Sequence, residues 1–166
     1  GVDSAVDFGV AATAESGNVY NGVIKEVDGE KVGFFGLTTE ETADIGSPET
    51  VTFDNYIEKA EKTVAAFEAA GIDKIVALTH IGYGDNQNVD NDQILAQTVD
   101  GIDVIVGGHD HTKLNEPVVV TKDLDGNEKD ATIIVQAYQY GEYLGALDVD
   151  FDEKGRVIGH AGELIK

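Results

Sequence analysis

Two short apolar runs, each broken by histidine and glycine at its carboxyl end, constrain this chain more than any other feature. Lys74-Ile75-Val76-Ala77-Leu78 runs into Thr79-His80-Ile81-Gly82, and Ile102-Asp103-Val104-Ile105-Val106 runs into Gly107-Gly108-His109-Asp110-His111-Thr112. Runs of this length bounded by glycine read as strands buried on both faces. In open α/β sheets, ligands collect just beyond the carboxyl ends of such strands. Three of the chain's four histidines fall there.

The segments around these runs predict how the strands connect. Val23–Val27, Asp28-Gly29 and Lys31–Leu37 read as a hairpin, two β-rich runs around an Asp-Gly turn. Turn residues from Thr38 to Thr52, Gly46-Ser47-Pro48 among them, predict a loop. From Asp54 to Ala70 the period becomes helical, with Ile57, Ala60, Val64 and Phe67 on one stripe, Asp54 as N-cap and Gly71 as the stop. Strand 73–79 follows. Asn91 or Asp92 then caps a short helix through Ile94, Leu95 and Thr98, ahead of strand 102–106. This alternation predicts a parallel core. Beyond the histidine loop, Pro117–Val120, Thr132–Val135, Tyr143–Phe151 and Val157–Gly159 read as antiparallel strands with polar turns between them. Residues 1–20 read as an irregular lead-in. No repeat or linker divides the chain, so 166 residues make one domain, burying about 70% of the surface an unfolded chain exposes.

Composition excludes several classes of function. With 11 basic against 32 acidic residues, the formal charge is −21. Phosphate-backbone binding needs clustered Lys and Arg, so nucleic acid is not an expected partner. Cysteine is absent, which removes thiolate and disulfide chemistry. No apolar run is long enough for a membrane span, and the N-terminus lacks the features of a signal peptide. Methionine is also absent, so the chain is expected to be an excerpt of a longer product.

Neutral imidazole is the commonest biological metal ligand and suits zinc, copper, iron and nickel. In an extended segment, residues two apart face the same side with Cα atoms roughly 6.5–7 Å apart. His109 and His111 would then serve either one ion or two ions about 3.5–4 Å apart, as in two-metal hydrolases. Gly107 and Gly108 let the backbone turn sharply there. A single histidine at a strand end is ordinarily a core or turn residue; His80 with His109 and His111 together favour a metal site. Asp110 points the other way and reads as a supporting carboxylate. His160 has no partner nearby and reads as structural or exposed. Asp123–Asp130 carries calcium-like carboxylates without the EF-hand spacing, and reads as a polar turn. Gly82-Tyr83-Gly84-Asp85 is similar to a phosphate-cradling loop but lacks the Walker lysine and the full glycine pattern.

Thr79-His80-Ile81-Gly82 followed by Gly107–Thr112 resembles the later metal-ligand motifs of the calcineurin-like metallophosphoesterases, in the branch of bacterial 5′-nucleotidases and UDP-sugar hydrolases. Asp28–Thr42 resembles that branch's signature ahead of its helix, and Val135–Gly145 the segment that closes its catalytic domain. The resemblance covers residues 20–166 in four ordered motifs. It implies an α/β fold, part of a four-layer α/β/β/α metallophosphatase domain with parallel strand–helix units followed by antiparallel strands. It also implies two divalent metal ions (zinc, manganese or similar) that activate water to hydrolyse nucleotide or other small phosphate esters. His80 and His109 would bind one ion and His111 the other.

The family's earlier motifs, Asp-x-His, Gly-Asp and Gly-Asn-His-Glu, belong ahead of the hairpin and supply the bridging aspartate, an asparagine ligand and a histidine that assists phosphoryl transfer. None precedes the hairpin here. Residues 1–166 are therefore expected to be the C-terminal half of the catalytic domain, inactive alone and holding at most one ion weakly. Exposed sheet edge and apolar surface would favour self-association. The family's habit implies the periplasm, cell surface or exterior. Two other readings compete: a non-catalytic surface or interaction module on the same scaffold, and a self-contained three-histidine zinc hydrolase.

Overall fold

A computed structural model describes residues 20–84 and 89–166, and the backbone of residues 8–10. Its elements run β1 (Phe8–Val10), β2 (Gly22–Val27), β3 (Glu30–Thr38), α1 (Thr42–Ile45), α2 (Tyr56–Ala69), β4 (Ile75–His80), α3 (Asp92–Thr98), β5 (Val104–Val106), β6 (Val118–Lys122), β7 (Glu128–Val135), β8 (Leu144–Phe151) and β9 (Val157–Ile165). β1 falls in the stretch expected to be irregular; the rest of residues 1–19 lies outside the described residues. One sheet has the order β1-β2-β3-β4-β5-β7-β6, and β8 and β9 form a separate hairpin.

The parallel core is β3, β4, β5 and β7. β6–β7 and β8–β9 pair antiparallel, so β7 serves both the parallel core and the antiparallel portion. The β2–β3 turn is the expected Asp-Gly turn, with φ of 52° at Asp28 and 88° at Gly29, the left-handed pair that matches strand twist.

Alternate residues of β4 split cleanly between faces. Ile75, Ala77 and Thr79 are buried, while Leu78 and His80 are exposed. The buried face packs on α2 and α3 through Phe67, Val64, Ala60, Leu95 and Ala96. A Cβ on Gly33 would lie 2.8 Å from the Phe67 ring, so glycine there lets α2 approach β3 closely. The opposite face is partly covered by β8–β9. A cleft of 230 Å³ remains between hairpin and sheet, lined by Val106, Leu114, Val135, Leu147 and Leu164. Leu78 and Val106 remain 49% and 40% exposed on that face. The layers are thus helices, sheet and a second β layer, in the order of the metallophosphatase fold.

Helix ends follow sequence chemistry with one correction. The N-cap of α2 is Asn55, whose side chain accepts the Glu58 amide at 3.1 Å, whereas Asp54 pairs with Lys59 at 2.8 Å. Both residue types cap well; capping at Asn55 turns Tyr56, rather than the half-buried Ile57, into the core. Gly71, at φ 75°, completes a Schellman close with Gly71 N–H to Glu68 O and Ile72 N–H to Phe67 O. Asn91 caps α3 through the Ile94 amide at 2.8 Å. The single turn of α1 interrupts the expected loop from Thr38 to Thr52, being too short to leave a periodic signal.

Several strands run further than expected, β6 to Lys122 and β7 and β9 by more. β7 starts at Glu128 rather than Thr132, because the charged Glu128 pairs across the hairpin with Lys122. β9 continues to Ile165 through Gly159 and Gly162. A Cβ on Gly162 would lie 2.6 Å from the Pro117 ring, so this glycine marks close packing and not a strand end.

Candidate metal centre

His80 ends β4, and the loop after β5 carries His109 and His111, so the parallel sheet delivers all three to its carboxyl edge. The two strands lie side by side, with Leu78 opposite Val106. One backbone bond ties their outgoing loops together, Gly82 N–H donating to Gly108 O at 3.1 Å, and another closes the loop between β4 and α3, Asp92 N–H donating to Gly82 O at 2.8 Å. Tyr83 N–H is taken by the Asp110 carboxylate at 2.9 Å. The Gly82-Tyr83 amides therefore hold the site together instead of cradling a phosphate; Asp85 of that motif lies outside the described residues.

The histidine loop is not extended. His109 has φ 81° and His111 φ 56°, both in the left-handed region that L-residues avoid. The same-side geometry expected for residues two apart in a strand does not apply here. His80 and His109 come together, their ring centroids 5.2 Å apart and edge to face. The ring contact of His111 is with Tyr140, at 5.8 Å. Tyr138 and Tyr140 are also left-handed, at 66° and 55°. Backbone strain at non-glycine residues gathers at functional sites when the surroundings enforce it. Here the two strained loops are joined by the Gln136 side-chain amide donating to Asp110 at 2.8 Å and by Tyr138 N–H donating to Thr112 O at 3.3 Å.

Asp110 anchors the loop. Besides Tyr83 and Gln136 it accepts the Thr112 hydroxyl at 2.8 Å and the Thr112 amide at 3.2 Å. Burial pushes its pKa up, but the hydrogen bonds from Gln136, Thr112 and Tyr83 outweigh it and hold the carboxyl below its ordinary value. Asp92 behaves oppositely. It is buried beneath the loop with one donor, the Thr79 hydroxyl at 2.7 Å, and burial raises its pKa to about 7, assisted by the charges of Asp110 and Asp90. A Cβ on Gly107 would overlap the Asp92 carboxylate, and one on Gly108 would lie 3.1 Å from His80 Nδ1. Close approach therefore requires glycine at 107 and crowds any side chain at 108, whereas neither residue has the left-handed φ that would make the turn itself demand glycine.

Two carboxylates absent from the expected site also belong to it. Glu41 Oε2 lies 3.2 Å from His109 Nε2 across 68 residues of sequence. Asp90 fastens the loop after β3 by accepting the Thr39 hydroxyl at 3.2 Å and the Glu40 amide at 2.7 Å. Neither stands in a spacing that sequence periodicity registers. The remaining candidates are peripheral. Asp123 accepts the Asn127 side chain and the amides of Asp125 and Asn127, closing a polar turn between β6 and β7. His160 is exposed on β9.

The donor set fits part of a metal centre. With metal–nitrogen bonds of about 2.0–2.1 Å, two ring centroids sit about 3.2 Å from a shared ion, and a tetrahedral angle separates them by about 5.2 Å. His80 and His109 have that separation. Among the described residues, no three His, Asp or Glu side chains gather around one point where an ion could be held. These residues therefore do not form the self-contained three-histidine centre.

The trifunctional nucleotide phosphoesterase protein YfkN of Bacillus subtilis is 43% identical over 149 residues, 89% of this chain. The 5′-nucleotidase precursor of Thermus thermophilus superposes with a TM-score of 0.77 and 38% identity over 87% of the chain. The chain belongs to the 5′-nucleotidase family of metallophosphoesterases. A snake venom 5′-nucleotidase from Gloydius brevicauda is 37% identical over 171 aligned positions, 95% of the chain. No family model matches the chain. The 5′-nucleotidase segment seen here spans 9% of the Bacillus protein, 27% of the venom enzyme and 29% of the Thermus chain.

Proposed function

We propose that these residues are the C-terminal half of a metallophosphoesterase catalytic domain, which in the longer protein hydrolyses nucleotide phosphate esters. The observation that carries this reading is the His80–His109 pair at the adjoining carboxyl ends of β4 and β5, in a chain of the 5′-nucleotidase family. His80 and His109 would hold one divalent ion and His111 a second, with the remaining ligands supplied from outside the described residues. The ions, when bound, lower the pKa of water and neutralise charge on the phosphoryl oxygens. The chain's own residues act around them. Thr79, Asp92 and Asp110 fix the strand ends, so the imidazoles are held before the substrate arrives.

The acidic surface is compatible with a phosphate substrate, because the charge at such a site is set by the ions. By itself the 166-residue chain would bind at most one ion, weakly, and would not turn over. That one relative is a snake venom 5′-nucleotidase supports placement outside the cytoplasm; no helix among the described residues is long and apolar enough to cross a membrane. The partly open face at Leu78 and Val106 would favour self-association when the rest of the domain does not cover it.

The test is a manganese- or zinc-supplemented phosphatase assay with nucleoside monophosphates. The full-length protein should turn over, and the 166-residue chain and full-length His109→Ala should not. Robust turnover by the 166-residue chain would refute the half-domain reading. An inactive full-length protein would favour the non-catalytic module.

A further inference from the structure

We propose that Glu41 is the positioning residue of His109: its carboxylate accepts a hydrogen bond from Nε2–H, leaving the Nδ1 lone pair as the metal-binding atom. This rests on the metal reading above but makes a separate statement, about which nitrogen of His109 carries its proton.

The pair is 3.2 Å apart, and both side chains are largely shielded, at 18% exposure for His109 and 26% for Glu41. A neutral imidazole carries its proton on one nitrogen and presents a lone pair on the other. An ionised carboxylate only accepts, so beside Nε2 it selects the Nε2–H tautomer and directs Nδ1 away from itself. Metal-binding histidines characteristically donate their other N–H to a carboxylate or carbonyl, which fixes the ring and raises its basicity.

The fold builds Glu41 for this place. Glu41 precedes α1 without capping it through its side chain. The two residues before it are fastened. Thr39 N–H donates to the His80 carbonyl at 3.0 Å, and the Thr39 hydroxyl donates to Asp90 at 3.2 Å. Glu40 N–H donates to Asp90 at 2.7 Å, and the Glu40 carboxylate accepts the Tyr56 amide at 2.9 Å and the Asn55 side chain at 3.2 Å. The Glu41 amide itself donates to the Thr39 hydroxyl at 3.1 Å. The loop after β3 is thus indexed to His80, the partner of His109, and to the start of α2. The left-handed backbone of His109, at φ 81°, has the same character: a residue held against its preference where orientation counts.

The experiment labels the histidines of the 166-residue chain with ¹⁵N and reads their tautomers near pH 7.5 by long-range proton–nitrogen correlation. Zinc is then titrated into the wild type, Glu41→Ala and Glu41→Gln. The expected result is Nε2–H at His109 in the wild type, a mixed tautomer in Glu41→Ala, and zinc affinity weaker by about 10–100-fold in that variant. Glu41→Gln keeps an acceptor oxygen and should retain the tautomer. The His160 signal, remote on β9, reports whether each variant is folded. Nδ1–H at His109 in the wild type would overturn the proposal even if no variant folds. So would a folded Glu41→Ala with unchanged tautomer and unchanged affinity. If the wild type shows Nε2–H but binds no zinc, the metal reading fails while the Glu41–His109 pairing stands.

Discussion

Asp92→Asn should stabilise the protein at alkaline pH and leave it nearly unchanged in mild acid. Asp92 is fully buried; Thr79 donates to Oδ1, and Oδ2 has no donor among the described residues. Gln136 Oε1, which like Asp92 Oδ2 adjoins the Cβ position of Gly107, is a second buried acceptor without a donor among the described residues. Burial sets the folded pKa at about 7, against about 3.9 in the unfolded chain. A raised carboxyl pKa means the folded state binds the extra proton. Its stability is undiminished below about pH 4, falls through the interval between the two pKa values and is lowest above about pH 7. Three units at about 1.36 kcal/mol each give roughly 4 kcal/mol as the upper bound of the loss. Asparagine has no charge to desolvate, keeps an acceptor for Thr79 and places an N–H₂ group where Oδ2 lacks a donor. Allowing for the weaker neutral hydrogen bond, the variant should gain about 1–3 kcal/mol at pH 8 and differ by less than about 1 kcal/mol at pH 5. Urea unfolding at both pH values reads this as a shift in midpoint at constant slope. A variant less stable than wild type at pH 8, or equally displaced at both pH values, would refute the reasoning.

Gly108→Ala puts a methyl 3.1 Å from His80 Nδ1 and 3.4 Å from the Thr79 carbonyl; it should cost about 1–3 kcal/mol and displace the His80 ring, seen as a changed His80 spectrum before any metal is added. An unchanged His80 signal would show that the loop yields without affecting the site. The open sheet face at Leu78 and Val106 predicts association of the 166-residue chain that weakens in a Leu78→Lys, Val106→Lys double variant. Light scattering that finds a clean monomer of the unaltered chain would count against an uncovered face.

What sequence reveals here follows the range of each interaction. The change from period two to period 3.6 between Leu37 and Asp54, and the Gly71 stop, are local signals, and β3, α2 and β4 lie where they predict. The carboxyl-end placement of His80, His109 and His111 is equally legible, because strand and glycine are adjacent in sequence. The expectation that His109 and His111 share a side assumed extended backbone, and the left-handed φ at both removes it. Glu41 is invisible from sequence because 68 residues separate it from His109 and only the parallel register of β3, β4 and β5 brings them together. Asp92 looks like an ordinary helix-capping carboxylate; its burial beneath Gly107 depends on α3 docking against the sheet.

Zinc titration into the 166-residue chain by calorimetry, repeated with His80→Ala, His109→Ala and His111→Ala, tests the half-centre most directly. The prediction is at most one weak site, lost with His80 or His109 and retained without His111. Two tight sites in the unaltered chain, or one tight site that needs all three histidines, would contradict it.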